Sequence, residues 1–233
     1  MKTLAIMQPY FLPYIGYIQL LRGVDRFVIL DDVNYINRGW VNRNRLLLHG
    51  AAYTFTLPLQ NASQNRLICD IELLDSMEWR KNIMCTIQHA YTKAPVFEEV
   101  WPLMESIFEY PTIQLDKFLL HSLRKVVEYL NLNIQIVKSA RRYNNAHLRG
   151  QDRIIDICRQ EGASRYVNAI GGRSLYRPEC FAAYGIELTF LQSRPVIYRQ
   201  KSETFIPWLS IMDVLMFNTK EQTLGMLQEF DLI

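Results

Sequence analysis

At 233 residues, with 49% apolar and 21% charged residues, the chain can bury one sizeable core and is too apolar to remain disordered. Its net charge of +3 is too small to argue for nucleic-acid binding. Cys69, Cys85, Cys158 and Cys180 stand far apart with no CxxC pair, which argues against a zinc site and fits thiols in a reducing, cytoplasmic compartment.

Thr3 to Met7 is a short apolar run ended by Gln8-Pro9, too short for a signal peptide, and reads as a buried strand. Pro13 to Gly23 reads as a helix, opened by proline and closed by glycine, and Arg26 to Asp31 as a second buried strand. Strand, helix and strand at this spacing predict a βαβ unit of a parallel sheet. Asn34 to Asn44 has no period and reads as a loop, while Arg45 to His49 and Ala52 to Leu59 flank Gly50 as a hairpin.

The middle of the chain is predicted helical over about 78–131, an insertion within one domain spanning 1–233. Apolar residues recur at helical spacing over Glu78 to Tyr91 and Gln114 to Leu130, and Pro95, Pro102 and Pro111 punctuate the stretch between. Alternation then returns. Ile134 to Val137 reads as a strand, Gln151 to Glu161 as a helix and Tyr166 to Ile170 as a strand. A helix from about Leu175 to Tyr184 and a strand at Ile186 to Leu191 follow, with Gly162 and Gly185 closing the two helices. Ser210 to Phe217 and Lys220 to Phe230 are expected as two short helices. The fold class predicted is α/β: a mainly parallel, Rossmann-like sheet with flanking helices, an inserted β-hairpin and a helical middle segment. No run approaches a membrane span.

Ligands of open parallel sheets bind at the carboxyl ends of the strands, so three places qualify. The exit from the first strand carries Gln8, Tyr10, Tyr14 and Tyr17 into a helix N-terminus, where backbone N–H groups favour an anion. Nucleotidyltransferases hold phosphates at this point with two histidines around a glycine, whereas Tyr14 and Tyr17 stand at those positions here. The same residues also suit a rigid aromatic turn of the core. The second place is Asp31-Asp32, which could hold Mg²⁺ or a ribose, or supply a base towards an amine. Without a third carboxylate nearby, metal binding is the lesser reading, and Asp32 is the general-base candidate. The third is the loop with Tyr35, Arg38, Asn42, Arg43 and Asn44, whose guanidinium forks suit phosphate or carboxylate and whose amides offer donors. Gly171, Gly172 and Arg173 would reach the same rim, where a tight turn explains the glycines equally well.

Three acid-free basic stretches, 33–69, 129–151 and 188–202, would make a positive pocket if they shared one face, or a set of solvated charges if they did not. Of the four histidines, His89 and His121 fall on polar helix faces, His49 lies beside the hairpin turn, and only His147 is a catalytic candidate, with a structural role the leading reading. GxGxxG, Walker A, HExxH and GxSxG motifs are absent.

The run from Gln8 to Tyr17, then Phe27 to Val33, Gly39 to Asn44, Thr56 to Leu59, Tyr166 to Tyr176 and Ser210 to Asn218, resembles the WbqC-like family. One departure is that Thr219-Lys220 follows Phe217-Asn218 where the family usually has a glycine. The resemblance implies a glycine or other aminoacyl transferase, acylating an amino sugar in O-antigen or surface-polysaccharide biosynthesis. On that implication a nucleotide-linked sugar is the partner, and its diphosphate meets Arg38, Arg43 and Arg173. Its rings meet Tyr14 and Tyr17, its amine meets Asp32, and Asn42 or Asn44 faces the oxyanion. ATP or an activated aminoacyl donor would complete the reaction. A nucleotide-dependent ligase and a non-catalytic sugar-nucleotide binder stay open, as does a homo-oligomer.

Overall fold

The computed structural model describes residues 2–233. The elements run β1 (Thr3–Met7), α1 (Ile15–Arg22), β2 (Arg26–Ile29), β3 (Arg43–Leu48), β4 (Ala51–Thr56), β5 (Leu59–Gln60), β6 (Glu72–Leu73), α2 (Glu78–Tyr91), α3 (Phe97–Phe108) and α4 (Leu115–Tyr129). They continue with β7 (Gln135–Val137), α5 (Gly150–Gln160), β8 (Arg165–Ala169), α6 (Pro178–Ala182), β9 (Glu187–Ser193), α7 (Ile211–Phe217), α8 (Lys220–Met226) and β10 (Phe230–Leu232).

The fold is α/β. A six-stranded sheet has the order β10-β9-β8-β1-β2-β7, parallel except for β10, which runs antiparallel to β9. The chain steps from β1 outward to β2 and β7, then returns to the other side of β1 for β8 and β9, so the order reverses between β1 and β8. Alternation along the strands feeds two cores. Ala5, Phe27, Ile29, Val167 and Leu191 face one side, joining α1, the β3–β4 hairpin, α2 to α4 and α7 in one apolar cluster. Leu4, Ile6, Val28, Val137 and Tyr166 face the other, against Ile154, Ile157 and Cys158 of α5 and Phe181 of α6. The helical middle therefore shares its core with the sheet.

Four boundaries differ from expectation. Pro102 lies inside α3 instead of separating helices, because Val100, Leu103, Met104 and Ile107 bury a full face. That burial outweighs the roughly 3 kcal/mol a mid-helix proline costs. The C-terminal helix stops at Met226, and Phe230–Leu232 pairs along β9 instead, with Phe230 opposite Ser193. Leu175 to Tyr184 contains only the five-residue α6, after a 3-10 turn over Ile170–Leu175. The hairpin starts earlier than predicted, which puts Arg43 and Asn44 on β3, and it closes through His49 and Gly50 with φ of 51° and 74°. Two residues at positive φ are what a type I′ hairpin turn demands. His121, expected in solvent, instead stacks on Tyr110 with ring centroids 4.0 Å apart and bonds the Ser106 carbonyl.

Candidate active site at the carboxyl edge of the sheet

Register fixes what meets at the carboxyl edge. Met7 lies opposite Ile29 and Val28 opposite Val137, so the exits of β1, β2 and β7 bring Gln8, Asp31-Asp32 and Ser139 side by side. On the far flank of β1, Leu4 lies opposite Tyr166, and β8, with Asn168 near its end, exits into the turn carrying Gly171, Gly172 and Arg173.

The twin aspartates are both buried, and each is bound differently. Asp31 Oδ1 accepts from Ser139 Oγ at 2.7 Å and from the Ala140 amide at 3.2 Å, while Arg141 Nη2 stands 3.5 Å from Oδ2. Burial raises the Asp31 pKa, and the Ser139 bond and Arg141 charge only partly oppose it. Asp32 Oδ2 lies 2.5 Å from Arg153 Nη2, and both side chains are 5% exposed. Arg153 Nε donates to Asn145 Oδ1 at 3.1 Å, and Asn145 Nδ2 to Asp156 Oδ2 at 2.7 Å. Asp32 Oδ1 is buried without a hydrogen-bond partner. The general-base candidate is thus clamped by a guanidinium, a geometry suited to shaping a site. Asp32 also lines a cavity of about 460 Å³ with Arg141, Asn144, Asn145, Ala146 and His147. Arg141, Asn144 and His147 are exposed there, so the second basic stretch lies against the aspartates.

Asn42 and Asn44 hold the backbone. Asn42 Nδ2 donates to the Leu57 carbonyl at 2.8 Å and its Oδ1 accepts from Tyr35 Oη at 2.7 Å. Asn44 Nδ2 donates to the carbonyls of Phe11 and Leu12 at 3.0 and 2.6 Å. Both N–H groups of Asn44 are engaged, which leaves none for an oxyanion. These bonds fasten the hairpin to the turn after β1, where Leu12 sits at φ 41° and Phe11 packs edge-on against Phe108. Tyr17 is buried and donates to the Gln8 carbonyl at 2.8 Å. The aromatic turn therefore has a structural share.

Tyr14 remains half-exposed, edge-on to Trp208 at 5.8 Å. Arg45 Nη2 donates to the Trp208 carbonyl at 2.9 Å, and the guanidiniums of Arg43 and Arg45 stand 5.3 and 5.6 Å from the Trp40 ring. Arg43 also bonds the carbonyls of Gly39 and Arg38. The first basic stretch thus meets the segment following β9, and Tyr14 lines a separate cavity there. The three basic stretches divide between two neighbouring places on the carboxyl edge. Asp32 belongs to one, while Tyr14 and Arg43 belong to the other. At β8, a Cβ on Gly172 would come 2.8 Å from Asn168 Nδ2, which explains that glycine by close approach, and Arg173 is exposed.

Three contributors escaped the sequence reading: Arg153, Asn145 and Asp213. Arg153 carried a usable signal, since it sits one turn before Ile157 on the apolar stripe of α5. Asp213 of α7 is fully buried with no cation, and accepts from Tyr91 at 2.8 Å, Tyr198 at 2.6 Å and Gln200 at 3.0 Å. Burial raises its pKa, opposed by those donors. In the window from its unfolded value near 3.9 up to its raised folded value, the folded state binds more protons. Asp213 therefore stabilises most below that window and loses the contribution as pH rises through it. Thermal melts across pH 4 to 7 are expected to show a fall in midpoint that Asp213→Asn diminishes. An identical pH slope in the variant would exclude the effect.

Residues 8–224 match the profile of the WbqC-like protein family. The chain belongs to that family. A WbqC-like relative is the uncharacterized protein Rv1507c of Mycobacterium tuberculosis, 28% identical over 218 residues, covering 92% of this chain and 93% of the relative. No solved structure matches. The WbqC-like match spans the strand exits and the hairpin, so the geometry above lies within the part the family defines. Among the described residues, no helix is long and apolar enough to cross a membrane, and no cluster of three His, Cys, Asp or Glu side chains could hold a metal ion.

Proposed function

We propose that this WbqC-like protein is an N-acyltransferase that moves glycine or another aminoacyl group onto the amine of a nucleotide-linked amino sugar in O-antigen or surface-polysaccharide assembly, in the cytoplasm. The observation that carries the reading is the cavity beside the clamped Asp32, at the switch-side edge of a parallel sheet, with the exposed guanidinium of Arg141, anchored by Asp31 and Asp116, and the exposed imidazole of His147 at its wall. Arg141 suits a phosphate or carboxylate oxygen. His147 is an exposed imidazole able to take a proton from an attacking amine. In the transfer, the sugar nitrogen bonds to the acyl carbonyl carbon, its proton passes to His147, and the bond from that carbon to the donor's leaving group breaks with its electron pair. ATP or an activated aminoacyl donor supplies the leaving group. Asp32 acts through Arg153 and Asn145, which fix the cavity wall.

The test is direct. Incubation with nucleotide-linked 4-amino sugars, glycine and ATP, or with a preformed aminoacyl donor, should yield a sugar heavier by one aminoacyl residue in mass spectrometry. Unmodified sugar across the panel would refute the transfer. A second reading, a binding protein without turnover, draws support from Asp32, whose Oδ2 is clamped by Arg153, and from Asn44, whose N–H groups are engaged within the fold. It predicts saturable binding of the same sugars with no mass change.

A further inference from the structure

The cavity bounded by Tyr14, Tyr198, Phe205 and Trp208 has no part in the transfer chemistry above. It encloses about 300 Å³, at the lower end of the ~300–1,000 Å³ of small-molecule sites. Aromatic faces and the rings of Pro195 and Pro207 wall it, and no acidic residue lines it. Trp208 stands 64% exposed at a φ of 63°. A bulky side chain in the left-handed region persists only where its surroundings impose it, and such outliers cluster at ligand sites.

The surroundings do impose it. Arg45 holds the Trp208 carbonyl at 2.9 Å, the Ser210 amide donates to the Arg45 carbonyl at 2.8 Å, and Ser210 Oγ donates to the Leu12 carbonyl at 2.7 Å. The backbone at Trp208 is thereby fixed, and its exposed indole meets Tyr14 edge-on. Beside Trp208 lies the guanidinium of Arg45, an arrangement complementary to a flat ring bearing a negative tail. Residues 195–200 form neither helix nor strand, so their peptide groups are not committed to a ladder and can meet the polar edge of a ring.

We infer that this cavity is a nucleotide site, with the base stacked on Trp208 and the phosphates drawn to Arg45. The inference deepens the reading of a nucleotide-linked acceptor and rests on it. The exits of β9 and β2 lie three strand spacings apart in the sheet, roughly 14 Å at about 4.8 Å each. That separation suits the two ends of one extended ligand, base at this cavity and sugar beside Asp32.

Calorimetric titration with ADP, GDP, UDP and dTDP, with inorganic pyrophosphate as the phosphate-only probe, tests it. At least one nucleotide should bind more tightly than pyrophosphate. Trp208→Asn should weaken that nucleotide about tenfold or more. Because asparagine tolerates the left-handed conformation, the variant's unfolding midpoint should not fall. Pyrophosphate binding as tightly as every nucleotide would overturn base recognition. Undiminished nucleotide binding by Trp208→Asn would move the base elsewhere, yet leave the acceptor reading intact. Absence of nucleotide binding alongside acylation of a sugar phosphate would remove this site alone, and absence of both would remove both.

Discussion

Replacing Arg153 by alanine is expected to lower stability by about 3–5 kcal/mol, because it strands the Asp32 carboxylate in the interior without its counter-charge. Both partners are 5% exposed, so solvent screens the pair weakly. For a chain of this size each kcal/mol corresponds to about 2–4 °C, which puts the fall in melting temperature on the order of 10 °C. Urea denaturation measures the loss directly. The effect belongs to the broken pair and not to an intrinsic benefit of charge. The double variant Asp32→Leu with Arg153→Met, which removes both charges while keeping bulk, is therefore expected to recover most of the stability. A loss below about 1 kcal/mol in the single variant would mean that the pair behaves as a solvated surface bridge.

Replacing His147 by glutamine is expected to reduce turnover of an amino-sugar acceptor by about 100- to 10,000-fold, the range typical of a positioned general base. Glutamine keeps polarity and approximate length but cannot accept the proton. The side chain is exposed, so the unfolding midpoint should stay within the small range usual for surface substitutions. Binding of the acceptor should persist, and the loss should fall on kcat rather than on KM, because the group acts in the transition state. Turnover at the wild-type rate in this variant would assign the proton transfer to another group. Asp31 would then be the next candidate, because burial raises its pKa and Ser139 orients it.

The strands and their order of appearance were legible because they depend on near neighbours. The apolar run Thr3–Met7 and the run through Phe27, Val28 and Ile29 can only be satisfied by burial on both faces. Gly162 and Gly185, with φ of 63° and 70°, closed helices where their sequence positions said they would. Pro102 and the β10 segment misled for the opposite reason. A proline's local cost was overridden by the buried face of α3, and a three-residue edge strand is too short to carry a period.

The sequence by itself determined an α/β sheet with carboxyl-edge loops rich in tyrosine, arginine and asparagine. Tertiary structure alone decided which of those groups are committed to the fold and which remain free. Arg153 finds Asp32 across 121 residues, and Arg45 finds Trp208 across 163. Asn44 turns out to hold the backbone of Phe11 and Leu12. A hydrogen-bonding group carries no local trace of its eventual partner, since that partner is chosen by the packing of distant segments. Periodicity can therefore place an arginine on a helix face, but only the folded neighbourhood fixes whether it binds a ligand or neutralises a buried carboxylate.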